Sequence, residues 1–144
     1  MQDRRIGSKR KREIAYAITR LLEPERVYSS AEIETLVRLQ VRADVLDEPG
    51  MAADHIRRCM VENGFVIRNN LTNEVQASET FLREQGAYAA NIAYFQEIAA
   101  LEPERQIFCP SCKQKLRAAV MAKHYRRNHN SEEEQERIQR SYFR

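Results

Sequence analysis

Residues 108–129 read FCPSCKQKLRAAVMAKHYRRNH, and they contain two cysteines followed by two histidines. Cys109 and Cys112 are separated by two residues, a spacing that presents two thiolates on one side of a metal ion. His124 and His129 follow on a helical segment, close enough in register for both imidazoles to point at the same ion. Because tetrahedral zinc takes four nitrogen or sulfur ligands, the sequence predicts one structural Zn²⁺ site with no open coordination position.

The motif resembles the Cys2His2 zinc finger over residues 107–129, which implies a ββα fold. Two features depart from the family. Eleven residues separate Cys112 from His124, where the family has about twelve. Leu116 replaces the aromatic core residue of the family, and Met121 replaces its leucine. We expect these two side chains to form the small core between hairpin and helix.

The finger segment is also strongly basic. Residues 109–129 contain six lysines and arginines and no acidic residue. Counted back from His124 as in the family, the residues facing a DNA major groove are Arg117, Val120 and Lys123, with Arg126 and Arg127 beside them. Arg117 is suited to bidentate contact with guanine. One finger covers only about three base pairs, so it needs a second domain or subunit, unless it binds protein or only stabilises the chain end.

A second basic run lies at the opposite end of the chain, around an acidic middle. Residues 1–12 hold six basic residues and one acidic residue, and residues 13–108 hold 9 basic and 16 acidic residues. Such segregation favours a phosphate-binding arm, although a nuclear import signal or a solvated helix face also fits. The candidate phosphate contacts of this arm are Lys9, Arg10, Lys11 and Arg12.

The residues before the finger predict a series of short elements. Apolar periodicity indicates a helix over about 9–22 with Ser8 as its cap, and Val27–Tyr28 favours a very short strand. The capping-box spacing of Ser29 and Glu32 predicts a second helix. Residues 41–50 favour a loop or a distorted turn, about 52–62 a third helix ending at Gly64, and 65–77 a hairpin.

The order helix, strand, helix, helix, hairpin matches a winged helix. Its third helix would then contact DNA through His55, Arg57 and Arg58. Its wing would contact DNA through Arg68. Residues 4–70 also resemble, more weakly, a small uncharacterised bacterial domain found with transcription regulators. That resemblance rests on the basic start, the turn formed by Pro24, Arg26 and Tyr28, and the Arg-Arg helix ending at Gly64.

The predicted class is therefore mainly α with small β-hairpins (α+β). We expect a winged-helix-like domain over 1–79, a linking helix over 80–104, a single ββα finger over 105–130 and a helical tail over 131–144. The apolar face of the linking helix either packs on the winged unit or forms a homodimer. No apolar run approaches the roughly 20 residues that a membrane span needs. His55 is expected at the surface, and Cys59 as a buried thiol.

No enzyme motif is visible. The basic N-terminus lacks the apolar stretch of a secretory signal, so we expect an intracellular location, cytoplasmic or nuclear. Under the reducing conditions expected there, the three cysteines argue against a disulfide framework. The leading hypothesis is a small DNA-binding protein that regulates transcription. Two alternatives stay open. The acidic middle favours an adaptor whose finger and long helix dock a protein partner, and a finger that recognises shape would suit RNA.

Overall fold

The computed structural model describes the backbone of residues 2–128 and 132–144, and the side chains of residues 9–127 and 133–144. The fold is mainly helical with two small antiparallel hairpins, which confirms the α+β class. The chain forms two compact units, Met1–Leu82 with Ile138–Arg144, and Arg83–Arg137. The elements in chain order are α1 (Gln2–Thr19), α2 (Ser30–Gln40), α3 (Ala43–Leu46), α4 (Ala53–Glu62), β1 (Val66–Arg68), β2 (Val75–Ala77), α5 (Glu79–Leu101), β3 (Gln106–Phe108), β4 (Lys115–Arg117), α6 (Ala118–Asn128) and α7 (Glu132–Tyr142).

Helix α1 is longer at its start than its apolar periodicity predicts. It begins at Gln2, so Ser8 lies inside the helix and does not cap it. Polar residues such as Arg and Lys are good helix formers, and they extend a helix beyond its buried face. Ile14 and Ile18 supply that face and are fully buried.

Helix α2 begins with the predicted capping box. The Ser29 hydroxyl accepts a hydrogen bond from the Glu32 backbone N–H at 3.1 Å. In return, the Glu32 carboxylate accepts one from the Ser29 N–H at 2.9 Å. Ile33 and Val37 then face the core.

The segment between α2 and α4 is more regular than the sequence predicts. Residues 41–50 were expected as a loop or a distorted turn, and they contain the short helix α3. Val45 is buried there, so tertiary packing stabilises a helical turn that local patterning does not favour. Helix α4 follows as predicted, with Ile56 and Met60 fully buried, and Gly64 has the expected positive φ of 72°.

The predicted hairpin forms between β1 and β2, in the register Val66 with Ala77 and Arg68 with Val75. Tyr28 adds an isolated bridge to β2. Its N–H donates to the Val75 carbonyl, and the Val75 N–H donates back, both at 2.8 Å.

The end of the chain completes the first unit. Ile138 and Phe143 are buried in the same apolar cluster as Ile14, Ile33 and Val37. The Arg42 N–H donates to the Tyr142 carbonyl at 2.9 Å. Residues 131–144 were expected to form a separate helical tail, but Ile138–Arg144 belong to the first unit.

In the second unit, the later part of α5 packs on the finger segment. Ile92 and Phe95 form one buried cluster with Cys109, Met121 and Tyr125. The apolar face of α5, considered above for a homodimer, therefore packs within its own chain. In the described part of the chain, no helix is both long enough and apolar enough to cross a membrane.

Candidate metal centre and nucleic-acid interface

The β3–β4 hairpin presents the two cysteines. Its strands pair Gln106 with Arg117 and Phe108 with Lys115, so the intervening turn begins at Cys109. The Cys109 N–H donates to the Gln114 carbonyl, and the Lys113 N–H donates to the Cys109 carbonyl, both at 2.9 Å. Lys113 adopts a left-handed φ of 65°, which lets the turn close.

Three potential ligands converge beside this turn. One ligand atom each from Cys109, Cys112 and His124 lies within 4.8 Å of the others. Cys112 Sγ and His124 Nε2 are 3.3 Å apart. Around one tetrahedral zinc ion, a sulfur and a nitrogen ligand would lie about 3.6 Å apart, so the observed spacing fits a shared metal ion. His129, the predicted fourth ligand, lies outside the described residues.

The packing around Cys109 holds one of these ligands in place. Cys109 and Met121 are fully buried, and Leu116 packs against the same cluster. The core roles predicted for Leu116 and Met121 are thus confirmed. Tyr125 continues the cluster towards α5: its ring stacks on Tyr88 at 5.2 Å, and its hydroxyl accepts a hydrogen bond from Asn91 at 3.0 Å.

The opposite face of α6 is open to solvent. Val120, Lys123 and Arg127 are exposed, whereas Ala118, Met121 and Tyr125 are buried. Because α6 begins at Ala118, the residues Arg117, Val120 and Lys123 occupy positions −1, 3 and 6 of the helix. These are the positions from which finger helices contact successive bases. Arg126 is half-buried and lies off this face.

Arg117 has an acidic neighbour that the sequence analysis does not identify. Its Nη1 atom lies 3.2 Å and 3.3 Å from the two carboxylate oxygens of Glu104. Both side chains are exposed. A contact across 13 residues has no local pattern that would reveal it, although the cross-strand pairing of a finger hairpin brings these segments together.

The arginines of the first unit that were predicted to contact DNA are differently placed. Arg57 forms an ion pair with Glu34 of α2 at 3.2 Å and is only 15% exposed. Arg58 is exposed, with Asp54 one helical turn away at 3.5 Å. Arg68 is exposed on β1 and donates to the Asn70 side chain at 3.3 Å. Arg57 is therefore part of the packing between α2 and α4.

The basic residues of α1 also differ in their exposure and in their ion pairing. Lys9 and Arg12 are exposed, and Lys11 is half-buried. Arg10 forms an ion pair with Glu48 at 2.7 Å and lies 5.5 Å from the centre of the Tyr142 ring. The hydrogen bond with Glu48 raises the pKa of Arg10.

Cys59, the third cysteine, lies apart from the metal-ligand group. It is buried in the first unit, as predicted, and burial raises the pKa of its thiol. Asn63 Nδ2 donates to its sulfur at 3.1 Å. His55 was expected at the surface, but it is half-buried. Its Nδ1 atom is shielded from solvent and has no hydrogen-bond partner within the described ranges.

Comparison with known proteins finds no relative of this chain: no protein-family model, no curated protein and no solved structure matches it. Any inference about its function therefore rests on the residues and their geometry.

Proposed function

We propose that the chain is a small zinc-containing DNA-binding protein that regulates transcription, with the exposed face of α6 as its base-contacting surface. One observation carries this proposal. The hairpin and α5 cover one side of α6, and the open side presents Arg117, Val120 and Lys123 at the base-contacting positions of a finger helix. Arg127 extends that face with a further positive charge suited to a phosphate.

Zinc is the metal that best fits the ligand group. Two thiolates with an imidazole suit a borderline-soft ion, and His129 is the fourth ligand in this proposal. When bound, such an ion supplies folding energy to a small domain. Metal analysis should find one zinc per chain. Cys112→Ala should abolish zinc binding, whereas Cys59→Ala, which changes the buried thiol of the first unit, should retain it.

The first unit supports DNA binding through its element order. Tyr28 bridges to β2 after α1, and α2, α4 and the hairpin follow, which is the order of a winged helix. The exposed residues Lys9, Arg12, Arg58 and Arg68 are our candidates for phosphate contacts in this unit. We assign Arg57 a structural role because its side chain pairs with Glu34 of α2 and is only 15% exposed.

The test is the affinity of the zinc-loaded protein for mixed-sequence duplex DNA over a salt series. Each phosphate contact contributes about 0.9 to the slope of log K against log salt. The double variant Lys123→Glu/Arg127→Glu should bind more weakly and with a shallower slope. Arg20→Glu/Arg38→Glu makes the same change in net charge on exposed residues of the first unit, and it should bind almost normally. Equal effects of the two variants would refute a specific role for the α6 face.

A protein-docking adaptor is the second candidate, and one observation favours it. Arg57, Arg58 and Arg117 all have acidic partners within the chain, which reduces the positive charge available to a polyanion. If the zinc-loaded protein binds neither duplex DNA nor RNA near 50 mM salt, where weak electrostatic complexes should persist, the adaptor is the better proposal.

A further inference from the structure

The turn before β3 is joined to the beginning of α6 by two backbone hydrogen bonds. The Ala118 N–H donates to the Arg105 carbonyl at 2.7 Å, and the Ala119 N–H donates to the Pro103 carbonyl at 2.9 Å. The first N–H groups of a helix lack partners within the helix, and this turn satisfies two of them. Glu104 lies between the two accepting residues, so its backbone is fixed beside the first turn of α6.

The Glu104 side chain contacts Arg117 through only one nitrogen. Both carboxylate oxygens lie within 3.3 Å of Nη1, and the hydrogen bonds between the two side chains involve this nitrogen and not Nη2 or Nε. A guanidinium group carries five N–H donors, and bidentate recognition of guanine O6 and N7 requires two of them on one edge. The Nε–Nη2 edge of Arg117 is therefore left for a base.

We propose that Glu104 is a positioning residue that holds Arg117 for recognition of guanine. This inference rests on the proposed function, and it specifies that the base pair contacted by Arg117 contains guanine. An exposed ion pair contributes little to folding, so the consequence of this pair lies in recognition. A long side chain that is ordered before binding loses less conformational entropy in the complex.

An opposite role for Glu104 would follow from the same contact. If the carboxylate competed with DNA for Arg117, its removal would increase the preference for guanine. The two roles thus predict changes of opposite sign, and one substitution separates them. Glu104→Gln keeps the size of the side chain but removes the charge that holds the guanidinium group.

The experiment selects DNA with the zinc-loaded full chain from a pool of duplexes randomised over six base pairs. The position read by Arg117 is the one at which Arg117→Ala loses its guanine preference. Glu104→Gln should lower that preference roughly threefold to tenfold, the range expected for ordering one side chain. Its zinc content should stay unchanged. The control is Glu102→Gln, which disrupts the neighbouring ion pair with Arg105 (3.2 Å) and leaves Arg117 untouched.

Each outcome bears on the inference. Loss of guanine preference in Glu104→Gln but not in Glu102→Gln supports it. Binding with an unchanged or stronger preference in Glu104→Gln overturns it and leaves DNA binding intact. Failure of the unmodified protein to bind any duplex overturns the proposed function and this inference together. Relaxation of the Arg117 Nε–H group, measured by NMR without DNA, provides an independent test, because Glu104→Gln should increase its mobility.

Discussion

Arg57 and Arg38 share one carboxylate, Glu34, but in different surroundings. Arg57 Nε lies 3.2 Å from Glu34, and its side chain is 15% exposed. Arg38 Nη2 lies 3.6 Å from Glu34, and its side chain is 62% exposed. An ion pair shielded from water is screened less than an exposed one, so Arg57 should stabilise the fold more than Arg38 does.

Arg57→Ala should therefore lower the free energy of unfolding of the first unit by roughly 1–2 kcal/mol. This range lies between that of an exposed pair and that of a fully buried one. Arg38→Ala is the matched control and should cost less than about 1 kcal/mol. Urea denaturation measures both. Equal losses would contradict a structural role for Arg57, and a large loss of DNA affinity in Arg57→Ala would restore its role as a contact residue.

At the scale of single elements, the start of α2 couples stability to pH. The Ser29 N–H hydrogen bond is the largest cause that lowers the pKa of Glu32, and Arg26 adds to it. A carboxyl group whose pKa is lower in the folded state stabilises the protein above its unfolded pKa. That contribution is lost as the pH falls through the folded pKa.

Glu32→Gln should consequently destabilise the protein at pH 7 and have less effect below about pH 4, where glutamates of a denatured chain bind protons. Ser29→Ala removes the other half of the capping box and should cost about 1 kcal/mol at pH 7. Urea denaturation of the three proteins at pH 7 and pH 3.5 provides the measurement. A constant difference between Glu32→Gln and the unmodified protein would show that the carboxylate does not contribute through its charge.

At the scale of the whole molecule, two separate apolar clusters stabilise the two units. The cluster of the first unit draws on helices α1 to α4 and on the chain end, whereas that of the second unit contains few buried residues around Cys109 and Met121. A core of that size rarely supports a domain without a metal ion or another crosslink. The stability of the second unit should therefore depend on the metal.

Removal of the metal with a chelator should accelerate hydrogen exchange over β3, β4 and α6. Exchange in α1, α2 and α4 should change little, because the large cluster does not include the metal ligands. Hydrogen-exchange mass spectrometry distinguishes the two regions. Cys112→Ala should show the same accelerated hydrogen exchange without added chelator. Protection of residues 106–127 that survives chelation would refute a structural metal.

The stability of the first unit should likewise depend on the end of the chain. Ile138 and Phe143 are buried in the first unit, and Arg144 donates to the Gln40 carbonyl at 2.8 Å. Truncation after Arg137 should lower the free energy of unfolding of that unit by about 3–6 kcal/mol, since each buried apolar side chain contributes about 1.5–3 kcal/mol. Thermal denaturation measures the loss. Gln139→Ala, an exposed position in α7, is the control and should have almost no effect. A stable truncated protein would contradict this assignment.

Features that depend on near neighbours could be predicted from the residue order alone. The spacing of Cys109 and Cys112, the capping box of Ser29 with Glu32 and the positive φ of Gly64 each involve only a few residues, so local geometry decides them. The same holds for the order of helices and hairpins, because the periodicity of apolar residues follows the repeat of each element.

Long-range packing decides which charges are already paired and which segments complete a core, and neither could be predicted from local patterns. Glu34 and Arg57 are 23 residues apart, and the Arg144 side chain contacts the Arg38 carbonyl across 106 residues. The same packing buries Val45 in an unexpected helical turn and brings Glu104 to Arg117. Such contacts depend on how elements pack in three dimensions, and the residue types alone allow many pairings of similar energy.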